Sequence, residues 1–234
     1  MNLNDEEKFK EFYGEANKQM PNLISDGRVP LSVAGLMRRR LEALKCSSEV
    51  RESWWDNYFD TGDGAVRHSD GRLKIVHDAK YLRQLDPQTR LVGGAVPFSD
   101  GEYESLIGRE FSKADVKKYC NKSLTREEVV KNPVWLQLAG DDKKLLKEYV
   151  FSVFAQVKKR FNYDGKMLGI YHSTVPNEGA AGRLWFVGRL DDFVGDSRAS
   201  GNLHLDDDLG RLVGVSVEGK RNEQSSNAKC EPDN

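Results

Sequence analysis

The stretch KMLGIYHSTVPNEGAAGRLWFVGRLDDFVGDSRASGNLHLDDDLGRLVGVSVEG, residues 166–219, decides the fold. Within it KMLGIYHS, GRLWFVGRL, GNLHLD and GRLVGVSVEG are short apolar or alternating runs. Gly, Asn, Asp and Pro separate them, as turn residues separate strands. They predict an antiparallel meander of four strands. The change of character falls at Asn162-Tyr163-Asp164-Gly165. Upstream the apolar period is helical. The expected fold class is therefore α+β: a helical N-terminal and central part packed on a C-terminal antiparallel β-meander.

The helical part is read from caps and periodicity. Phe9, Phe12, Tyr13 and Ala16 predict a helix over 5–20, ended by Pro21. Ser32 caps a second helix running to about Lys45, and a third begins at Ser48 and carries Val50, Trp54, Trp55, Tyr58 and Phe59. AVRHSDGRLKIVHD reads as a hairpin about Asp70-Gly71, an additional strand pair at 65–76 that can join the sheet. Asp78 is expected to cap a short helix. Ser99–Glu102, Ser112–Asp115 and Thr125–Glu128 fit the capping box, which places several short helices in the middle of the chain. The strongest helix starts at Asp141 or Asp142 and ends near Phe161, with Leu146, Tyr149, Val150, Val153 and Val157 on one face. The organisation follows: 1–161 mainly helical with a hairpin, 162–218 antiparallel β, both within one compact domain, and 219–234 a polar tail.

Composition narrows the function classes. The 234 residues are 31% charged and 9% aromatic, with a formal net charge of −1. That is a folded chain without a whole-molecule field toward nucleic acid or membrane. Cys46, Cys120 and Cys230 have no metal or redox spacing and read as thiols of a reducing compartment. The start, MNLNDEEKFKEF, lacks the basic and apolar segments of a signal peptide, so the expected location is cytoplasmic.

Several motifs invite chemistry. Asp60-Thr61-Gly62 matches the aspartic-protease signature, but no second copy exists to share a proton with it. Asp60 and Asp63 are expected to end the preceding helix and turn into the first strand. Trp54-Trp55 reads as a broad buried face rather than a stacking platform. In the basic segment 38–45, Arg38, Arg39 and Arg40 point in different directions, so the triplet is not one nucleic-acid patch. Arg40 falls on the apolar stripe of Val33, Met37, Leu41 and Leu44, where a guanidinium must snorkel or find an anion. It is the candidate ligand-binding residue.

His204, Asp206 and Asp208 are the candidate metal ligands. On a strand, His204 and Asp206 share a face and Asp208 follows in a turn. An imidazole with carboxylates suits manganese or zinc. No nucleophile elbow, P-loop or dinucleotide turn is present, and no cofactor is expected. The leading reading is a cytoplasmic binding or regulatory module with a protein or small-molecule partner. One rival is a hydrolase-like enzyme using carboxylates and His near the C-terminal sheet, with a divalent metal. The other is a nucleic-acid binder using the 38–45 helix.

Overall fold

Side-chain caps start most helices of the computed structural model, which describes residues 8–190 and 198–216. The helices are α1 (Ala16–Ser25), α2 (Val33–Ala43), α3 (Ser48–Trp55), α4 (Lys80–Arg83), α5 (Asp100–Ser105), α6 (Lys113–Tyr119), α7 (Arg126–Lys131), α8 (Pro133–Leu138) and α9 (Lys143–Phe161). Ser32 Oγ accepts from Gly35 N–H at the head of α2, and Asp142 accepts from Lys144 and Leu145 N–H at the head of α9. The capping boxes form at Ser99, Ser112 and Thr125. Each satisfies N–H groups that the helix itself leaves open.

The strands are β1 (Phe9–Tyr13), β2 (Arg28–Pro30), β3 (Phe59–His68), β4 (Leu73–Val76), β5 (Val96–Phe98), β6 (Arg109–Phe111), β7 (Ile170–His172), β8 (Ala180–Val187), β9 (Ala199–Gly201) and β10 (Arg211–Ser216). They make one mixed sheet in the order β1-β10-β3-β8-β9-β7. β2 pairs with β10, β5 with β8, and β4 joins β3 to β6. With helices set against this sheet, the fold is α+β.

Both faces of the sheet are buried. One core holds Phe9, Phe59, Ala65, Trp185, Val187, Val213 and Val215 under α2, α3, α8 and α9. The other holds Phe12, Val66, Leu184 and Leu212 with Met20 and Leu23 of α1 and Leu82 of α4. Alternate residues of each strand thus serve opposite cores.

This double burial explains the first correction. The predicted helix over 5–20 is β1 followed by α1. Phe9 and Phe12, three apart, mimic helical spacing, but they lie on opposite faces of a strand paired antiparallel with Leu212 and Val215 of β10. Pro21 lies inside α1 rather than ending it, and the helix holds because Met20 and Leu23 on either side of it are fully buried.

The meander is also corrected. β8 and β9 pair antiparallel, but β7 runs parallel to β9, and β10 leaves its sequence neighbours to lie between β1 and β3, parallel to β3. The hairpin forms from β3 and β4 and joins the sheet through β8. Strands from before and after residue 162 interleave, so the sheet does not divide there. The tail at 219–234 lies outside the described residues.

The stretch at 59–64 is no turn. It opens β3, in which every residue is buried. Asp78 has φ of 46° and stands one residue before the actual cap of α4, Ala79. Cys120 is a buried free thiol, pushed by burial up to about 12. Cys46 is disulfide-bonded, which corrects its reading as a thiol. Spacing along the chain carries no information on a bridge closed by folding.

Candidate functional site

The C-terminal strands that build the sheet also build an open cleft of about 460 Å³. Tyr171 of β7, Phe186 of β8 and Ser200 of β9 form its floor, and Arg198, Asn202, Leu203, His204 and Asp207 rim it. Trp185 points into the core with no exposure, so the pleat sends Phe186 to the other face, where it is half-buried. Tyr58 packs edge-on against Phe186, with centroids 5.8 Å apart. The Arg198 guanidinium lies 5.6 Å from the Tyr171 ring.

The rim is not a strand. After β9 the backbone turns twice between Gly201 and Arg211. Leu205 anchors it: its side chain is fully buried, its N–H donates to Gly94 O at 2.9 Å, and its carbonyl accepts from Asn17 N–H at 3.1 Å. A Cβ on Gly94 would lie 2.4 Å from His204 Cγ, and Gly94 has φ of 69°. Glycine is therefore required where the 93–94 turn supports the imidazole. Asp207 Oδ1 accepts from Leu209 N–H at 3.0 Å, and Tyr58 Oη donates to Leu209 O at 2.6 Å. Asn202 and His204 project into solvent from this tied loop.

Beneath the rim lies Asp60, without exposure, its Oδ2 accepting from Arg211 N–H at 2.6 Å. Burial pushes its carboxyl up to about 7, the Arg211 N–H opposes that, and Asp207 adds to it. Within the irregular stretch of β3 between Asp60 and Gly64, Asp63 Oδ2 accepts from Val33 N–H at 2.8 Å and Oδ1 from Asp78 N–H at 3.1 Å. Thr61 Oγ1 donates to Trp185 O at 2.7 Å. The Asp-Thr-Gly segment is thus an internal fastener within a central strand, with no loop to offer a substrate.

No family model matches the sequence, and no curated protein matches it. The structure is similar to a solved protein of Nanoarchaeota in which the C-type lectin fold accommodates massive sequence variation. The TM-score is 0.67 at 20% identity, over 89% of this chain and 97% of that one. The chain has a C-type lectin fold.

Within this C-type lectin fold the predicted site residues fare differently. His204 and Asp206 stand on the rim, with His204 Nδ1 3.9 Å from Asp206 Oδ1. Asp208 is exposed on the following turn. Among the described residues no three His, Cys, Asp or Glu side chains are grouped to hold a metal. The segment turns where strand alternation was assumed.

Arg40 is 2% exposed and lies away from the cleft. Its Nε donates to Trp54 O, Nη1 to Tyr149 Oη, and Nη2 to Asn57 O and Gly188 O, each at 2.9 Å. Backbone carbonyls and a phenol thus accept from its guanidinium. Arg39 is buried between the Phe9 and Trp54 rings, which leaves Arg38 as the exposed member of the triplet. Arg38 sits 3.9 Å from Asp142, so the 38–45 helix presents no basic face.

Sequence reasoning missed Tyr171, Phe186 and Arg198. Phe186 had a signal: in Leu184-Trp185-Phe186-Val187 a strand must turn one of two adjacent rings away from the core.

Proposed function

We propose that this chain is a non-enzymatic binding module that takes a protein or small-molecule ligand in the cleft between Tyr171, Phe186 and His204. The observation that carries the reading is the open cleft of about 460 Å³, where aromatic rings on strands meet polar side chains on a tied loop. Binding sites combine apolar walls with a few placed polar groups, and loops on rigid scaffolds carry them. Tyr, Arg, Asn and Ser together are also the composition of adaptable recognition surfaces. The Nanoarchaeota neighbour accommodates massive sequence variation in this fold, which supports a scaffold whose exposed side chains change without loss of the framework. Fold alone does not give function, so the argument rests on the cleft.

Among the described residues no helix is long and apolar enough to cross a membrane. The cytoplasmic expectation rested partly on three free thiols, and the bridged Cys46 removes that support.

The test is a fragment screen by ligand-observed NMR, with hits mapped by amide shifts. Hits should gather at Tyr171, Phe186 and Asn202, and Phe186→Ala should weaken them about tenfold, as loss of an aromatic anchor does. Hits scattered over the surface, or gathered elsewhere, would remove the reading.

A further inference from the structure

Asp60 has an unusual position for a carboxyl group. It has no exposure, and among the described residues its Oδ1 has no hydrogen-bond partner. Buried carboxylates are held by cations or several donors. Among the described residues the one donor to it is the Arg211 backbone N–H, on Oδ2. The Arg211 guanidinium is engaged by Glu11, Asn57 and Tyr13.

The groups facing Asp60 come from each neighbouring element. β10 contributes Arg211, whose guanidinium is held by Glu11 and Tyr13 of β1, while the rim loop contributes Asp207 and the approach to β3 contributes Tyr58. Arg189, beyond β8, acts on Tyr58. On β8 the residue paired with Asp60 is Phe186, a floor residue of the cleft.

The turn above Asp60 is packed without slack. A Cβ on Gly210 would lie 2.2 Å from Gly14 O and 3.2 Å from Asp60 Oδ2. Water cannot reach the carboxyl from this side unless the turn lifts. What holds the turn is modest: Gly14 N–H to Gly210 O at 2.9 Å, and Tyr58 Oη to Leu209 O at 2.6 Å. Leu209 itself is 67% exposed, so it adds no buried apolar anchor. The same turn carries Asp207, a rim residue of the cleft.

We propose that Asp60 is a proton-operated latch under the cleft: protonated, it keeps the 207–211 turn seated, and ionised, it lifts that turn and loosens the wall formed by Asp207 and His204. This regulation rests on the cleft being the binding site. The sign is fixed by the direction of the shift. Burial raises the folded carboxyl to about 7, against about 3.9 for an unfolded aspartate. The folded state then holds a proton that the unfolded state releases. The seated state has its full advantage below about pH 4 and loses it as pH rises through about 7. A ligand that needs the turn seated therefore binds with proton uptake on the alkaline side.

The experiment follows the Asp60 side-chain carboxyl carbon and the Leu209, Gly210 and Arg211 amides by NMR from about pH 5 to about pH 9. All should titrate together near pH 7, and amide exchange in the turn should rise about tenfold beyond the base-catalysed trend. In Asp60→Asn the turn titration should vanish while the His77 titration persists. In Asp207→Asn the midpoint should fall. An Asp60 carboxyl titrating below about pH 5, or turn shifts that persist in Asp60→Asn, overturns the latch. If Asp60→Asn does not fold, the wild-type carboxyl titration and Asp207→Asn decide the matter. Fragment binding is measured across the same range. A turn that titrates with Asp60 while no fragment binds the cleft sinks the binding-site reading and keeps the proton-driven motion. Fragments bound equally at every pH over a turn that does not titrate sink the latch alone.

Discussion

Replacing Arg40 with methionine separates a structural guanidinium from a ligand-binding one. Methionine keeps most of the apolar stem on α2 but removes every donor. Trp54 O, Gly188 O, Asn57 O and Tyr149 Oη each lose a 2.9 Å hydrogen bond. The contacts to Trp54, Gly188 and Tyr149 are fully buried, whereas the Asn57 contact is part-buried and can take water. The Tyr149 hydroxyl can rotate to donate elsewhere. Two buried carbonyls are then orphaned, at about 1–3 kcal/mol each. Removal of a buried charge returns part of that. The expected net loss is about 3 kcal/mol, a large fraction of the stability of a typical domain. Arg40→Lys should fall between, because one ammonium cannot span carbonyls on α3, on the 56–58 segment and after β8. Urea unfolding at neutral pH reads the loss as a lower midpoint at unchanged slope. A change under about 1 kcal/mol would refute the carbonyl-clamp argument. So would a variant of wild-type stability that loses fragment binding, which would return Arg40 to the ligand.

The Asp63–His77 contact sets a second pH dependence. Hydrogen bonding to Asp63 raises the His77 imidazole above its ordinary value, so its contribution is full below about pH 6.5 and fades as pH rises through the folded value. Imidazole NMR should show that elevated midpoint and its fall in Asp63→Asn, and an unchanged midpoint would refute the coupling. Gly94→Ala should cost about 1–2 kcal/mol from the left-handed backbone alone and displace the His204 ring. A wild-type melting curve with unshifted His204 signals would contradict the close approach. Alkylation of the unreduced, denatured protein should label Cys120 and spare Cys46, as read by peptide mass spectrometry. Labelling of Cys46 would remove the bridge and restore the reducing compartment.

Helix starts were legible in the sequence because a cap is local. Ser99, Ser112 and Thr125 each find their donor three residues away, so no tertiary knowledge is needed. Strand order was not legible. β10 belongs beside β1 and β3, and nothing local in Arg211–Ser216 says so. β3 was hidden for a different reason. A strand buried on both faces shows no alternation, and Asp60, Thr61 and Asp63 made it look like a polar turn. Their burial is tolerable because Arg211, Val33 and Asp78 offer backbone N–H groups, partners from distant parts of the chain.

The cleft was half legible for a related reason. GNLHLD stood out as a gathering of polar groups, and it does form the rim. A two-residue period assigned it strand geometry, whereas the backbone turns twice there. The burial of Leu205 is the feature that matters. It pins the middle of the loop to Gly94 and Asn17 and leaves Asn202 and His204 free on one side, and the Asp207–Leu209 turn on the other. A rim pinned at one buried leucine can vary in its exposed residues without disturbing either core. It also leaves the 207–211 turn directly over Asp60, whose Oδ1 has no hydrogen-bond partner among the described residues. The physical demands of the two positions differ: outward side chains are free to follow a ligand, while Asp60 beneath them must remain small, acidic and enclosed for the wall to respond to protons.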